Sequence, residues 1–197
     1  MTGHAPAFVA TPDWLVAEMP PGYETRLVEI RRLTSELREM ESVARVLWET
    51  GTPLEDAVAA VFTALKHEVD VTPGIAGAIG VKVDGSRRLL IHVSRAGDPI
   101  QKTSEELAQA FQLVQFAGQN DRVVLVANND VGLRPADRPD PVLADALAVL
   151  QRVGVNVVTT GTLFGLWRYS FEDPRRVATV LDRLHAQDGG AFVTPPR

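Results

Sequence analysis

The stretch Gly74–Ser94, "GIAGAIGVKVDGSRRLLIHVS", decides the fold of this 197-residue chain. Apolar runs lie on both sides of Asp84-Gly85, and an Asp-Gly pair between two such runs is a strong signal for a β-hairpin. The segment therefore predicts two antiparallel strands joined by a tight turn. The second of these strands continues into a small loop at Ala96-Gly97.

Helices and strands alternate on the C-terminal side of this hairpin. Apolar residues three or four apart predict helices, whereas short apolar runs such as "RVVLVAN" predict strands that helices cover on both faces. Together with the hairpin, this order predicts an α/β fold in which helices sandwich a mixed β-sheet. The predicted elements are a helix at 105–117, a strand at 122–128, a helix at 142–152, a strand at 155–160, a helix from 162 and a helix at 173–185.

A long amphipathic helix is predicted at residues 24–50, on the N-terminal side of the hairpin. Its apolar residues recur at steps of three and four, and charged residues fill the positions between them, a pattern typical of a coiled-coil seam. Such a helix packs either on its own domain or on a second copy of itself, and the narrow seam favours a homodimer. The apolar positions are Leu27, Ile30, Leu33, Leu37, Met40, Ala44 and Leu47.

A second helix follows directly. Gly51 is expected to end the long helix, and Thr52 is expected to cap the next one, with Glu55 completing a capping box. That helix should end near Lys66, where the pattern changes to the two-residue alternation of a strand at 67–72. The predicted organisation is a flexible arm at 1–23, the long helix at 24–50, an α/β domain at 51–188 and a tail at 189–197.

Composition narrows the class of protein. The chain has no cysteine, which excludes disulfides and thiolate metal sites, and its net charge is −5. This charge disfavours non-specific nucleic-acid binding, although a local basic patch would permit it, so a protein partner is the stronger expectation. The start of the chain lacks a signal-peptide pattern, and no apolar run approaches the ~20 residues of a membrane span. We therefore expect a cytoplasmic protein with no membrane partner.

The order of elements resembles that of a known superfamily. A helix ending in "LWETG", a hairpin whose second strand is "LLIHVSRAGDPI", a helix containing "AFQLVQF" and the strands "RVVLVAN" and "GVNVVTT" are similar to the restriction-endonuclease-like superfamily, the PD-(D/E)XK nucleases. The resemblance covers Leu47–Trp167, about two-thirds of the chain. It implies a mixed sheet flanked by helices and an ancestral magnesium-dependent nuclease site.

In active members of this superfamily, an Asp lies early in the hairpin and the second strand carries an acid, one residue and a Lys. The two carboxylates hold Mg²⁺ through oxygen ligands, and the Lys orients or deprotonates the attacking water. Alternate residues of a strand point to one face, which explains the spacing of the acid and the Lys.

This chain departs from that pattern at every catalytic position. The acid position falls at His92, the Lys position at Ser94 and the first Asp position within 76–78, while Gln112 matches a Gln of the following helix. The resemblance therefore implies a vestigial site at His92, Ser94 and Gln112 that takes no metal or cofactor. We predict a pseudo-nuclease, not an enzyme, that acts as a binding, regulatory or scaffolding homodimer.

Two other functions remain open at this point. A metal-dependent nuclease with displaced ligands would use carboxylates such as Asp70, Asp84 and Asp98, with Lys82 as a replacement amine. A small-molecule sensor would have an enclosed pocket lined by His92, Ser94 and Gln112. A serine hydrolase is disfavoured, because Ser94 and His92 lack an acid partner and no G-x-S-x-G elbow is present.

Further binding residues are expected in the loops. The proline-rich segment 128–141 is longer than a compact fold requires, and such loops are often functional. Aromatic residues after the "TLF" segment, at Trp167, Tyr169 and Phe171, are expected to cover the core or to contact a partner. The basic residues that could bind an anion are Arg87, Arg88, Arg95, Arg134 and Arg138.

Overall fold

The computed structural model describes residues 14–71 and 78–193. The chain divides into two compact units, residues 1–40 and 41–197. The predicted arm at 1–23 lies largely outside the described residues, as do Gly74–Gly77 of the predicted hairpin and the end of the tail.

The first unit contains a short helix and most of a long one. The helices are α1 (Leu15–Glu18) and α2 (Tyr23–Ala44), and a 3₁₀ turn at Arg45–Leu47 follows α2. The prediction of a long N-terminal helix is confirmed, but the α-helix ends six residues before the predicted 24–50 helix does. Gly51, at φ +61°, does not end α2, because it is the residue immediately before the next helix.

The second unit is built around a six-stranded mixed sheet in which the strands lie in chain order. β1 and β2 are antiparallel, as are β2 and β3, whereas β3, β4, β5 and β6 are mutually parallel. Among the described residues, β2 is thus the one strand that runs against the others. The strands are β1 (Val69–Val71), β2 (Ala78–Lys82), β3 (Arg88–Val93), β4 (Asp121–Ala127), β5 (Asn156–Thr159) and β6 (Gly190–Ala191).

Helices cover both faces of this sheet, so the unit has three layers. α3, α6 and α7 share one core with Leu89, Ile91 and Val93 of β3. α4 and α5 share a second core with Leu90 of the same strand. The helices are α3 (Thr52–Ala64), α4 (Glu105–Phe116), α5 (Ala144–Arg152), α6 (Thr160–Glu172) and α7 (Pro174–Ala186).

The predicted hairpin is present as β2 and β3. The Asp84 carboxylate accepts hydrogen bonds from the backbone N–H groups of Ser86, at 3.0 Å, and Arg87, at 2.9 Å. It also binds the Arg87 side chain, and this contact, followed by the two backbone hydrogen bonds, holds the pKa of Asp84 well below its usual range. Asp84 is therefore the residue that fixes the turn.

Two predicted caps differ from the structure. Thr52 is the first residue of α3 and makes no capping bond, because Gly51 occupies the N-cap position. At α7, by contrast, the Asp173 side chain accepts from the N–H groups of Arg175 and Arg176, which confirms Asp173-Pro174 as a helix start.

The tail predicted at 189–197 includes a strand of the sheet. Gly190 and Ala191 pair in parallel with Asn156 and Val157, and Phe192 is buried in the core. Two residues are too short a run for any periodicity, and the Gly189-Gly190 pair suggested a loop. The α/β unit therefore extends past residue 188.

Candidate functional site

His92 and Ser94 lie at the carboxyl end of β3, between its two neighbours in the sheet. His92 pairs with Ala78 of β2 on one side and with Leu125 of β4 on the other. The Ser94 N–H donates to the Val126 carbonyl at 2.8 Å and continues the parallel pairing with β4. Alternation along the strand places both side chains on the face that α4 and α5 cover.

The His92 side chain is buried, and it makes no hydrogen bond to any residue that the structure describes. Its side chain is 1% exposed, and neither Nδ1 nor Nε2 has a partner among the described residues. The pKa of His92 is lowered to about 4, chiefly by burial; the Arg95 charge acts in the same direction, and the Glu55 and Glu105 carboxylates oppose it. The ring is therefore neutral at pH 7, and it cannot replace a carboxylate as an oxygen ligand for Mg²⁺.

Ser94 interacts with an acid that the sequence did not indicate. Its Oγ accepts from the Ala96 N–H at 3.1 Å and lies 3.4 Å from Oε1 of Glu106. Glu106 is in the first turn of α4, where an acid is favoured by the helix dipole whatever its function. Because an acid in the first turn of a helix is common, nothing in the sequence indicated that Glu106 lies beside Ser94.

Gln112 is exposed on α4, whereas His92 and Ser94 are buried. The α4 residues that face the sheet are Leu107, Ala110 and Leu113. The helix residue that the structure brings to Ser94 is thus Glu106, not the Gln112 expected from the resemblance.

Arg95, the residue after Ser94, forms an ion pair with Glu55 at 2.8 Å. Glu55 was expected to complete a capping box on α3, but its carboxylate is directed to Arg95 across 40 residues of chain. The positive charge of Arg95 is therefore paired with a carboxylate next to the end of β3.

Most of the other predicted anion-binding arginines are also committed to structural contacts. Arg87 binds Asp182 at 2.7 Å, in addition to Asp84 in the hairpin turn, and Arg88 binds Asp121 at 2.9 Å. Each of these guanidinium groups has a carboxylate partner, so they do not form an open anion site.

The long loop 128–141 is fixed by Arg138. This guanidinium donates to the Leu47 carbonyl at 2.6 Å, to Oδ1 of Asn128 at 2.6 Å and to the Leu133 carbonyl at 3.1 Å. Burial lowers the pKa of Arg138. The loop is therefore packed onto the unit, and Arg138 acts as its anchor.

The clefts that described residues line include the following two. One, of about 370 Å³, is bordered by Glu55, Asp56 and Asp70. The other, of about 200 Å³, lies at the ends of β4 and β5 and is bordered by Asn129, Arg138 and other polar residues. Neither lining includes His92, Ser94 or Gln112.

The carboxylates considered for a relocated metal site lie in separate places. Asp84 is engaged by its own turn, Asp70 lies on β1, and Asp98 lies in the loop after β3. Within residues 14–71 and 78–193, no group of three or more His, Asp or Glu side chains is arranged to hold a metal ion. Of the expected first-Asp positions, Ala78 is described and 76–77 lie outside the described residues.

The aromatic residues after β5 lie on a helix. Trp167 packs between Phe164 and Phe171 on α6, with ring centroids 5.3 Å and 5.1 Å apart, and the Arg176 guanidinium lies over Tyr169. Phe171 is 63% exposed at the end of this row.

Fold and site together define a three-layer α/β protein whose β3 end carries a buried neutral histidine and a serine bound to an acid. No family model, curated protein or solved structure matches the chain. Among the described helices, none is both long and apolar enough to cross a bilayer.

Proposed function

We propose that this chain is a non-catalytic, nuclease-like protein that acts by binding, as a regulatory or scaffolding homodimer. The observation that carries the proposal is His92, because a buried, neutral imidazole occupies the strand position at which the resemblance places a metal-binding acid. The adjacent Lys position holds Ser94, whose hydroxyl cannot supply the positive charge of an amine.

The sheet supports the same proposal. The resemblance implies a hairpin followed by a helix that crosses to a parallel neighbouring strand. The chain has β2 and β3 as the hairpin, α4 as the crossover helix and β4 parallel to β3. Because a parallel pair requires such a crossover, this order is compatible with the implied core.

The homodimer rests on the surface of α2. Of its 22 residues only Val43 is buried, and five large apolar side chains are exposed, each by 41% or more of its surface. Helices in proteins owe most of their stability to packing of an apolar face, and ion pairs within a helix add only tenths of a kcal/mol. A second copy of the helix would cover four of these side chains, Ile30, Leu33, Leu37 and Met40, whereas the fifth, Val28, lies on another side of the helix.

The first experiment is a calorimetric titration of Mg²⁺ and of Mn²⁺ into the purified protein, with a nuclease assay on DNA and RNA from the same preparation. We expect neither metal binding nor cleavage. Binding together with cleavage would overturn the non-catalytic proposal and would make Asp70→Asn, Asp84→Asn and Asp98→Asn the next variants.

The second experiment measures mass in solution by light scattering on a size-exclusion column. We expect twice the 21.4-kDa chain mass for the wild type and a monomer for Leu37→Glu. The matched control is Val28→Glu, because Val28 is exposed to a similar degree but lies about 160° around the helix from the centre of the apolar row. A monomeric wild type, or a dimer that Leu37→Glu leaves intact, would refute the role of α2.

A further inference from the structure

The apolar row of α2 has a two-fold pattern. Ile30, Leu33, Leu37 and Met40 follow one another at steps of three, four and three, so the row reads the same from either end, about residue 35. In an antiparallel pair, Ile30 would lie opposite Met40 of the second copy, and Leu33 opposite Leu37. A parallel pair would instead place each residue opposite its own copy, and the apolar residues alone permit both.

The charges of α2 distinguish the two orientations. Residues 23–34 contain three Arg and two Glu, a net charge of +1, whereas residues 36–44 contain one Arg and three Glu, a net charge of −2. An antiparallel pair places each positive half beside a negative half. A parallel pair places like halves together, which costs free energy at both ends.

Arg26 increases the electrostatic difference between the two orientations, because it lies one turn before Ile30 on the same side of the helix as the apolar row. A parallel copy would bring two Arg26 side chains together. An antiparallel copy would place Arg26 beside Ala44 and Glu41 at the C-terminal end of the other helix. That end carries the partial negative charge of the helix dipole, and its last turn has no basic residue of its own.

Within one helix, the acidic side chains next to the apolar row, Glu29 and Glu36, already have a cationic partner. The Arg32 guanidinium binds both Glu29 and Glu36 on the side of α2 next to the apolar row. The two Glu36 side chains, which approach each other at the centre of an antiparallel pair, therefore each have a cation beside them. This reduces the one like-charge contact that the antiparallel arrangement creates.

We propose that two copies of this chain associate antiparallel along α2, centred on residue 35, with Ile30 of each copy against Met40 of the other. This orientation rests on the proposed homodimer and specifies how its two copies meet. The closing experiment separates failure of the dimer from failure of the orientation.

The test uses the absence of cysteine from the chain, because any introduced thiol is then unique. Ile30→Cys and Met40→Cys are made singly and oxidised in a glutathione buffer, alone and as an equal mixture. Residues ten apart on a helix are separated by about 15 Å along its axis. A disulfide requires Cα atoms within about 7 Å.

We expect each single variant alone to remain uncrosslinked and the mixture to yield disulfide dimers that contain one copy of each variant. Mass spectrometry identifies the composition of these dimers. Crosslinking of either variant alone would overturn the antiparallel orientation while leaving the homodimer in place. A monomer at all concentrations by light scattering would remove the homodimer and the orientation together.

Charge reversal gives an independent measurement. We expect Arg26→Glu and Glu41→Arg each to weaken dimerisation about two- to fivefold, the range of exposed ion pairs, and the double variant to recover most of the wild-type affinity. Tighter dimerisation by Arg26→Glu would indicate that two Arg26 side chains repel each other, as in a parallel pair, and would overturn the proposal.

Discussion

At the scale of single residues, burial determines how His92 responds to pH. The unfolded chain binds a proton at His92 near pH 6.5, whereas the folded protein resists protonation until about pH 4. Between these values the unfolded state binds more protons, so the free energy of unfolding falls as the pH falls. Above pH 6.5 the residue is neutral in both states and contributes no pH dependence.

We therefore expect the wild type to lose about 2 kcal/mol of stability at His92 between pH 7.5 and pH 5. His92→Leu places an apolar side chain in the same strand. The loss of stability of this variant between pH 7.5 and pH 5 should be about 2 kcal/mol smaller than that of the wild type. Urea unfolding at the two pH values measures the difference. Equal slopes for His92→Leu and the wild type would contradict the assignment.

Gly189 is a second residue whose environment matters, because the structure requires glycine at this position. Its φ is +83°, and a Cβ there would lie 2.6 Å from the Gln151 carbonyl oxygen. Its N–H donates to Oδ1 of Asn156 at 2.9 Å, which ties the approach to β6 to strand β5. Both the backbone conformation and the close contact thus require glycine.

We expect Gly189→Ala to destabilise the protein by about 2 kcal/mol or more, because the left-handed conformation is costly for alanine and the clash is with backbone atoms. Gly165→Ala is the matched control, since nothing lies within 4 Å of its Cβ position inside α6, and it should raise stability by about 0.5–1 kcal/mol. Thermal unfolding compares the two. Equal changes in stability for Gly189→Ala and Gly165→Ala would show that residue 189 does not require glycine.

At the scale of elements, the proline-rich loop 128–141 contains a 3₁₀ turn at Pro135–Asp137, and side-chain contacts tie the loop to the rest of the unit. Arg138 joins the loop to the Leu47 carbonyl, and Asn129 donates to the Pro139 carbonyl at 3.1 Å. Ile100 and Val142 form an isolated bridge at its far end. A long loop with these anchors behaves as part of the packed unit.

Arg138→Met should therefore cost about 2 kcal/mol, because it leaves the carbonyl of Leu47 and the side chain of Asn128 without their charged donor. We also expect faster amide hydrogen exchange across the loop. The matched control is Arg134→Met, an exposed residue of the same loop, which should change neither quantity. Unchanged exchange in Arg138→Met would show that the loop is held by other contacts.

At the scale of the whole molecule, the boundary of the α/β unit lies inside the long helix. Val43, at the end of α2, and Val46, in the 3₁₀ turn, are 2% and 0% exposed and belong to the core that α3, α6 and α7 form. The domain boundary predicted at residue 51 would remove both. The compact unit instead begins at Glu41.

We expect a chain of residues 41–197 to unfold cooperatively, with a melting temperature near that of the full chain. A chain of residues 51–197 should be destabilised by about 3–6 kcal/mol from the loss of two buried valines alone. Circular dichroism during heating compares them. Equal stability of the two truncated chains would place Val43 and Val46 outside the core.

Local signals in the sequence were sufficient for much of this fold. Asp84-Gly85 predicted the hairpin and Asp173-Pro174 the start of α7, because turn and cap chemistry acts between residues two or three apart. The same locality explains the errors at Thr52 and Glu55. Glu55 is positioned for a capping box, but Arg95, 40 residues away, competes for its carboxylate.

Local signals in the sequence likewise predicted one part of the candidate site and not the other. The sequence identified His92 and Ser94 as neighbours on one strand face, because a strand has a fixed two-residue period. It did not identify Glu106 as the contact of Ser94, since the packing of α4 on the sheet depends on many residues acting together. Gln112, the other residue of the predicted vestigial site, is exposed on that helix.

By itself, the sequence determined the α/β class, the alternation of elements and the long N-terminal helix, because each depends on periodicity and turn chemistry within a few residues. Tertiary structure alone decided that Gly190 and Ala191 form a sixth strand, that Arg138 anchors the long loop and that the His92 side chain is buried. Each of these contacts joins residues far apart in the chain. Their free energy arises from burial and pairing, which exist only once the layers have packed.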